Sequence, residues 1–442
     1  MSRQIATPET NSRGLPTSPV CYHPFVKPLT RRRFLAASAA SLSAPWISRL
    51  SAAPSSQISL GFIGVGKHGV GRNLRSFLPE KDCRAVAVCD VFKSRQRSAR
   101  DLIDKTYGQR GCRTFDDFRD LLASKDIDAV VISTPDHWHV PISIAALEAG
   151  KDVFCEKPTL TISEGRDLVN AVKRRKAIFQ TGLEDRSIPQ YHRLCQAVRN
   201  GGIGKLKHME VELPVHTKVY KEEKTAPPAD LDWNMWLGPA PWAEFSPQRI
   251  DWMGWRMIRD YSGGILTDWG AHLVDSALVA NFSERSGPME VQGKGAIPEG
   301  VMNTAKQTFD VRYKFENGVT MRVKSGGVRL RFEGEEGWCG NDGWRGEPKA
   351  HDANLFKTQR NPDRIWPLPP YEHRNFLDSV KSRKPTTYTA EDLHRLSTTL
   401  HLGAISMELE RRLTWNPDKE AFVNDPKADA LRRRESRDWT KS

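Results

Sequence analysis

From Ile58 onward the chain alternates short, continuous apolar runs with amphipathic stretches. The run ending at Ile63, the run Cys83–Cys89 (CRAVAVC), residues 128–133 (DAVVIS) and residues 153–155 lack the polar alternation of a one-sided strand. That pattern predicts strands buried on both faces of a parallel sheet. Between them, residues 71–78, 115–122 and 141–148 read as helices, and Gly150 closes the last of these. Strand and helix alternate as far as Thr181, which is the pattern of a doubly wound sheet whose ligands lie outside the carboxyl ends of its strands. After Gly182 (GLEDRS) the pattern changes. A helix over 188–200 precedes strands over 205–215, 290–296 and 308–315, and Asn317-Gly318 turns the chain into further strands over 319–324 and 328–333. Residues 307–313 alternate in polarity, as an antiparallel sheet with one open face requires. Helices are expected over 371–383 and 390–411. Neither an internal repeat nor a transmembrane helix is visible.

The 442 residues suffice for two or three domains, and mixed charge with 38% hydrophobic residues describes an ordinary soluble globular chain. The net charge of +13 hints at an anionic partner until it is located. Residues 1–53 hold Arg3, Arg13, Lys27, Arg31, Arg32, Arg33 and Arg49 against Glu9 alone, and the remaining excess is dispersed apart from Arg432 to Arg434. No basic face is interleaved with aromatics, so nucleic acid is not an expected partner. The seven cysteines show no ligand spacing and several sit in apolar strands. Buried free thiols are expected, with no disulfide framework and no metal. Residues 1–29 are polar and proline-rich. They lead into Thr30-Arg31-Arg32-Arg33-Phe34-Leu35, a weakly apolar Ala/Ser/Leu run and small residues at Ser51 to Ala53. This leader resembles a twin-arginine export signal. Its apolar run is too short for a permanent anchor. The resemblance implies passage through the twin-arginine machinery, a periplasmic location, and a soluble mature chain from about residue 54.

The chemistry begins where the first strand ends, at Gly64-Val65-Gly66-Lys67-His68-Gly69. A GxGxxG run between a strand and a helix is the dinucleotide fingerprint: Gly64 for the turn, Gly66 for close approach of a pyrophosphate, Gly69 for helix packing. Lys67 and His68 fall within the same cofactor-binding loop. Asp90 stands 21 residues after Gly69 at the end of the second strand, where a carboxylate accepts from ribose hydroxyls and repels a 2′-phosphate. NAD is therefore favoured, with NADP kept open by Lys93 and Arg95. Two clusters follow at later strand ends. Thr134, Pro135, Asp136, His137, Trp138 and His139 form one, and Glu156-Lys157-Pro158 the other. Thr134, Pro135, His139, Glu156 and Lys157 are candidate cofactor contacts, and a lysine beside a nicotinamide can relay protons. The fold class is thus α/β: an N-terminal Rossmann dinucleotide-binding domain over 54–181, then an α+β domain over 182–442 with a large open, mainly antiparallel sheet and C-terminal helices.

GxGxxG, Asp90, TPDHWH and EKP in this order, joined to Gly263-Gly264 and Asp268-Trp269-Gly270-Ala271-His272 with Asp275, resemble the glucose-fructose oxidoreductase, inositol dehydrogenase and MocA family from residue 57 to the C-terminus. The resemblance implies Lys157, Asp268 and His272 as the catalytic set. Spacing supports the last two independently, because residues four apart share a helix face and can address one carbinol. A histidine has the intrinsic pKa to take a hydroxyl proton as hydride leaves carbon. Upstream, Trp233, Trp236, Trp242, Trp252, Trp255 and Trp269 crowd a Pro- and Gly-rich stretch. Such rings stack on pyranose faces, and Trp138, Arg256, Asp260, Tyr261 and Asp275 are candidate substrate contacts.

Three functions remain open at this point. The first is an exported NAD(P)-dependent oxidoreductase acting on a sugar, sugar alcohol or glycoside, with a tightly held cofactor that one substrate or a pair of substrates recycles. The second is an NAD-dependent glycosidase or lyase, in which transient oxidation permits elimination without net redox change. The third is a non-catalytic sugar sensor. A dimer or tetramer is implied by the resemblance alone.

Overall fold

The structure, a computed structural model, describes residues 57–441 except 358, 359, 362 and 363. The leader and Cys21 lie outside the described residues. Strands β1 (Ile58–Ile63), β2 (Cys83–Cys89), β3 (Arg113–Phe115), β4 (Ala129–Ile132), β5 (Asp152–Cys155) and β6 (Phe179–Thr181) form one sheet in the order β3-β2-β1-β4-β5-β6. Every pairing in it is parallel. The chain winds outward from β1 in both directions, so the order reverses between β1 and β4, and that switch point opens a crevice at the strands' carboxyl ends. The apolar runs behave as parallel burial demands, with β4 and β5 buried at every position.

Strands β7 (Leu206–Pro214), β8 (Glu290–Ala296), β9 (Thr308–Lys314), β10 (Thr320–Gly326), β11 (Arg329–Gly334), β12 (Trp338–Asp342), β13 (Lys349–Ala350), β14 (Leu413–Asn416) and β15 (Ala421–Phe422) form the second sheet. Its order is β13-β12-β11-β7-β10-β9-β8-β14-β15. Only β10 with β7 is parallel, so the sheet is mixed and mostly antiparallel. One face packs Met209, Val211, Val311, Tyr313, Met321, Val323, Leu330 and Phe332 against helices Pro189–Arg199, Gly270–Ala280 and Ala390–Leu409. The other face is polar and laced with ion pairs such as Arg322 to Asp310 and Lys324 to Glu210 and Glu212.

All described residues fall in one compact unit, Ala53–Ser442, and the boundary expected at 181/182 lies between its two sheets. The last helices are shared. Phe376 and Leu377 of helix Glu372–Ser382 join the core on one side of the parallel sheet. Ala390, Leu393 and Trp439 join the core on the other. Among the described residues six cysteines are free, five of them buried and Cys112 half-buried. Among the described residues no helix is long and apolar enough to cross a membrane.

Candidate active site

The glycine loop follows directly from β1. Gly64 has φ +84°, and a Cβ there would stand 2.7 Å from the Ser133 carbonyl carbon. At Gly69 a Cβ would lie 2.1 Å from the Gly64 carbonyl oxygen, so the entering helix packs as closely as backbone allows. Gly66 differs, because an added Cβ would meet only the Arg95 guanidinium, at 3.3 Å. The loop is therefore held rigid at two glycines and open at the third, beside the amides that begin helical turn Gly69–Leu74. That cradle fits a pyrophosphate. Asp90 shapes it from below: its two oxygens accept from Val65 N at 2.8 Å and Phe92 N at 2.9 Å, and burial holds its pKa above the usual carboxylate range. With Gly64, Gly66, Thr134 and Pro135 it also lines a cleft at the sheet's switch point.

Across the crevice, β5 delivers Glu156 and Lys157. Lys157 Nζ donates to Asp268 Oδ1 at 2.7 Å and to the Asp268 carbonyl at 2.8 Å. Arg256 Nε reaches Asp268 Oδ2 at 3.2 Å. Burial alone would raise the Asp268 pKa, but the two cations hold it well below the usual range, so Asp268 is a carboxylate. His272 lies one turn on, in the helix formed by Ile265–Asp268 and Gly270–Ala280. Its Nδ1 is 2.8 Å from Asp185 Oδ2. With Asp185 accepting from Nδ1–H, the lone pair of the neutral ring falls on Nε2. Burial, the largest single influence, opposes protonation of His272, but the charge and hydrogen bond of Asp185 together with the charge of Glu184 overcome it and the pKa is raised. A third pair, His68 Nε2 to Glu156 Oε1 at 2.9 Å, ties the glycine loop to the same strand end, and Glu156 also accepts from Asn73 at 2.9 Å.

Loops complete the rim. Trp344, between β12 and β13, lies edge-on to Trp269 at 5.2 Å and 5.5 Å from the His272 ring, and its neighbour Arg345 pairs with Glu184. Sequence reasoning missed Asp185, Glu184, Trp344 and Arg345. Asp185 had a signal, since GLEDRS directly follows the last strand of the parallel sheet, where ligands collect. Trp344 and Arg345 had none, because only the register of β12 and β13 brings that hairpin over His272.

The DHWH cluster is spent on the fold. Asp136 accepts from Ser262 Oγ at 2.6 Å, His137 Nε2 lies 2.9 Å from the Trp236 carbonyl, and Trp138 Nε1 donates to the carbonyls of Met235 and Trp236. His139 spans the carbonyls of Thr134 and Pro158 at 2.9 and 2.8 Å. These four residues lie in the first turn of helix Asp136–Glu148, which starts five residues before the expected 141, and all are buried. Asp136, His137 and Trp138 clamp the 231–262 segment to the first sheet, His139 ties Thr134 to Pro158, and Trp138 also lines the switch-point cleft beside Gly64 and Asp90. Of the candidate substrate contacts, only Arg256 reaches the Lys157 centre. Tyr261 is buried against Trp236 with its hydroxyl accepting from Arg249, Asp260 is exposed on the outer surface, and Asp275 pairs with Arg186 at 2.7 Å inside the core. Apolar packing already uses Tyr261 and a buried cation Asp275, and Asp260 faces solvent.

The family described as "Oxidoreductase family, NAD-binding Rossmann fold" matches residues 58–183, and "Oxidoreductase family, C-terminal alpha/beta domain" matches residues 215–441. A glycosyl hydrolase family 109 protein of Stenotrophomonas maltophilia is 30% identical over 231 residues, covering 49% of each chain. An inositol 2-dehydrogenase of Salmonella typhimurium is 28% identical over 206 residues, 46% of this chain and 56% of the relative. The chain thus spans about half the length of these curated relatives. Among solved structures, an NAD-binding protein from Listeria innocua superposes with TM-score 0.60 at 20% identity, over 81% of this chain and 96% of that one. An aldose-aldose oxidoreductase from Caulobacter crescentus complexed with glycerol gives 0.59 at 16%, over 81% and 99%. A levoglucosan dehydrogenase in complex with NADH and levoglucosan gives 0.59 at 16%, over 81% and 99%. At these identities the structures speak for the fold.

Proposed function

Because the chain belongs to the GFO/IDH/MocA oxidoreductase family, whose first domain binds NAD, we propose that it transfers hydride between NAD and a carbinol of a sugar, sugar alcohol or glycoside. The observation that carries this reading is the convergence of Lys157–Asp268 from one side and His272–Asp185 from the other on the strand-end crevice next to the glycine loop. NAD bound on that loop supplies the hydride acceptor. Glycine-loop amides hold its phosphates, and Asp90 keeps the loop in shape. Lys157, fixed by Asp268, places a cation where alkoxide charge develops. His272 takes the hydroxyl proton on Nε2, and Asp185 holds the tautomer and stabilises the imidazolium that forms.

The raised pKa of His272 gives the reading a sign. A base must be neutral to accept, so the oxidation rate should climb with pH through a pKa above the ordinary histidine value and then level. Asp185→Asn removes the charge that raises it. The rising limb should move to lower pH, and kcat should fall about 10- to 100-fold through loss of the tautomer lock. A kcat–pH profile of both proteins checks this; an unmoved limb would show that His272 is not the titrating base.

The relatives from glycosyl hydrolase family 109 favour a second reading, redox-neutral cleavage of a glycoside. Incubation with aryl glycosides and no acceptor separates the two: aglycone release without NADH accumulation supports cleavage, whereas NADH at 340 nm with the glycosidic bond intact supports net oxidation. The Arg31-Arg32-Arg33 leader supports a further part of the reading, that the protein is exported folded and keeps its NAD through turnover.

A further inference from the structure

Trp252 is a large apolar side chain left 38% exposed, yet it is held in place from both domains. On one side it meets the glycine loop: Lys67 Nζ lies 5.3 Å from its ring, and the His68 ring lies 6.2 Å away with planes 30° apart. On the other side the Arg256 guanidinium stacks on it at 4.2 Å and donates to its carbonyl at 2.6 Å. The same guanidinium reaches Asp268, and His68 reaches Glu156, the residue before Lys157. These contacts close a ring around the gap between the glycine loop and Lys157. A dinucleotide with its pyrophosphate on the loop and its nicotinamide at Lys157 must place the nicotinamide riboside in that gap.

We propose that Trp252 is a cofactor-contacting residue supplied by the second domain, an indole roof over the nicotinamide riboside that slows NAD release. The proposal rests on the NAD reading above and adds where retention comes from. Release then requires the Trp252–Arg256 segment to lift from the loop, so holding cofactor and presenting Arg256 to Asp268 become one conformational event. Trp255 provides the control. It also stacks on Arg256, at 4.1 Å, and steadies the same segment from the apolar cluster of Trp233, Trp236 and Tyr261 in which it is buried.

The test uses NADH itself. Purified protein is loaded with NADH and chased with excess NAD, and the loss of bound-NADH fluorescence is timed for wild type, Trp252→Ala, Trp252→Phe and Trp255→Ala. Loss of an aromatic stack with its buried area should speed release at least about tenfold in Trp252→Ala. Trp252→Phe should restore most of the retention, and Trp255→Ala should stay near wild type. Tryptophan-to-NADH energy transfer should fall in both Trp252 variants, a signature that mere support of the segment would not produce. Equal release rates in wild type and Trp252→Ala overturn the proposal, as does equal acceleration by Trp255→Ala. Failure of wild type to bind NADH would instead sink the cofactor reading beneath it.

Discussion

Lys157→Met is expected to reduce hydride transfer by about 10³-fold or more while leaving NADH affinity within a few-fold of wild type. Methionine keeps most of the lysine stem, so the close packing against Asp268 survives. The ammonium does not, and with it goes the cation beside the reacting oxygen. Asp268 retains Arg256 at 3.2 Å and stays ionised, so the variant gains a carboxylate without its nearer counter-ion next to developing negative charge. The loss should therefore fall on kcat as well as kcat/KM, because the missing interaction strengthens only as the transition state forms. Single-turnover absorbance at 340 nm and NADH fluorescence titration measure the two halves. Undiminished turnover would move the active site elsewhere. Full biological effect in the variant would favour a sensor over an enzyme.

Arg186→Met should have the largest effect on stability, about 3–5 kcal/mol. The guanidinium is bidentate to Asp275 at 2.7 and 3.0 Å, lies 3.3 Å from Asp392 and stacks on Tyr388 at 4.3 Å. Both carboxylates are nearly inaccessible to solvent, so removing the cation strands Asp275 and leaves Asp392 with only Thr389 and the more distant Arg285, rather than merely deleting a contact. Asp275 is one turn beyond His272, and Arg186 adjoins Asp185. The same pair that supports the core also sets the spacing of the proposed base and its partner. Denaturant unfolding and the thermal midpoint report the loss; a variant as stable as wild type would mean that Asp275 is not held in the core by its cation.

What the chain disclosed in advance follows from how local each signal is. Cys83–Cys89 and Glu290–Ala296 match the expected strands residue for residue, because continuous or alternating apolarity is written along a single segment. The glycine loop, Lys157 at a strand end and the four-residue step from Asp268 to His272 are local in the same sense. Helix Lys93–Tyr107 was not legible: it buries only Gln96, Ala99 and Ile103, too narrow a stripe to stand out. DHWH misled in part because a run of ionisable and aromatic residues reads as chemistry until the partners that consume its polar atoms are known, and those of Asp136, His137 and Trp138 arrive about a hundred residues later. Trp344 is the converse case, brought to His272 by tertiary structure alone.

The sharing of cores across the chain also governs how the protein comes into being. The sheet that carries the glycine loop is complete once Thr181 has been made, but its two flanks are sealed by Phe376 and Leu377 on one side and by Ala390, Leu393 and Trp439 on the other. Synthesis runs from the N-terminus, so through more than half of translation the cofactor half waits with uncovered apolar seats. It is therefore no autonomous module. Excised at residue 181 it should aggregate, and a chain shortened within the last helices should lose nucleotide binding along with them. The moment at which cofactor can first be captured is set by the segment around Trp439, made long after the loop that grips it.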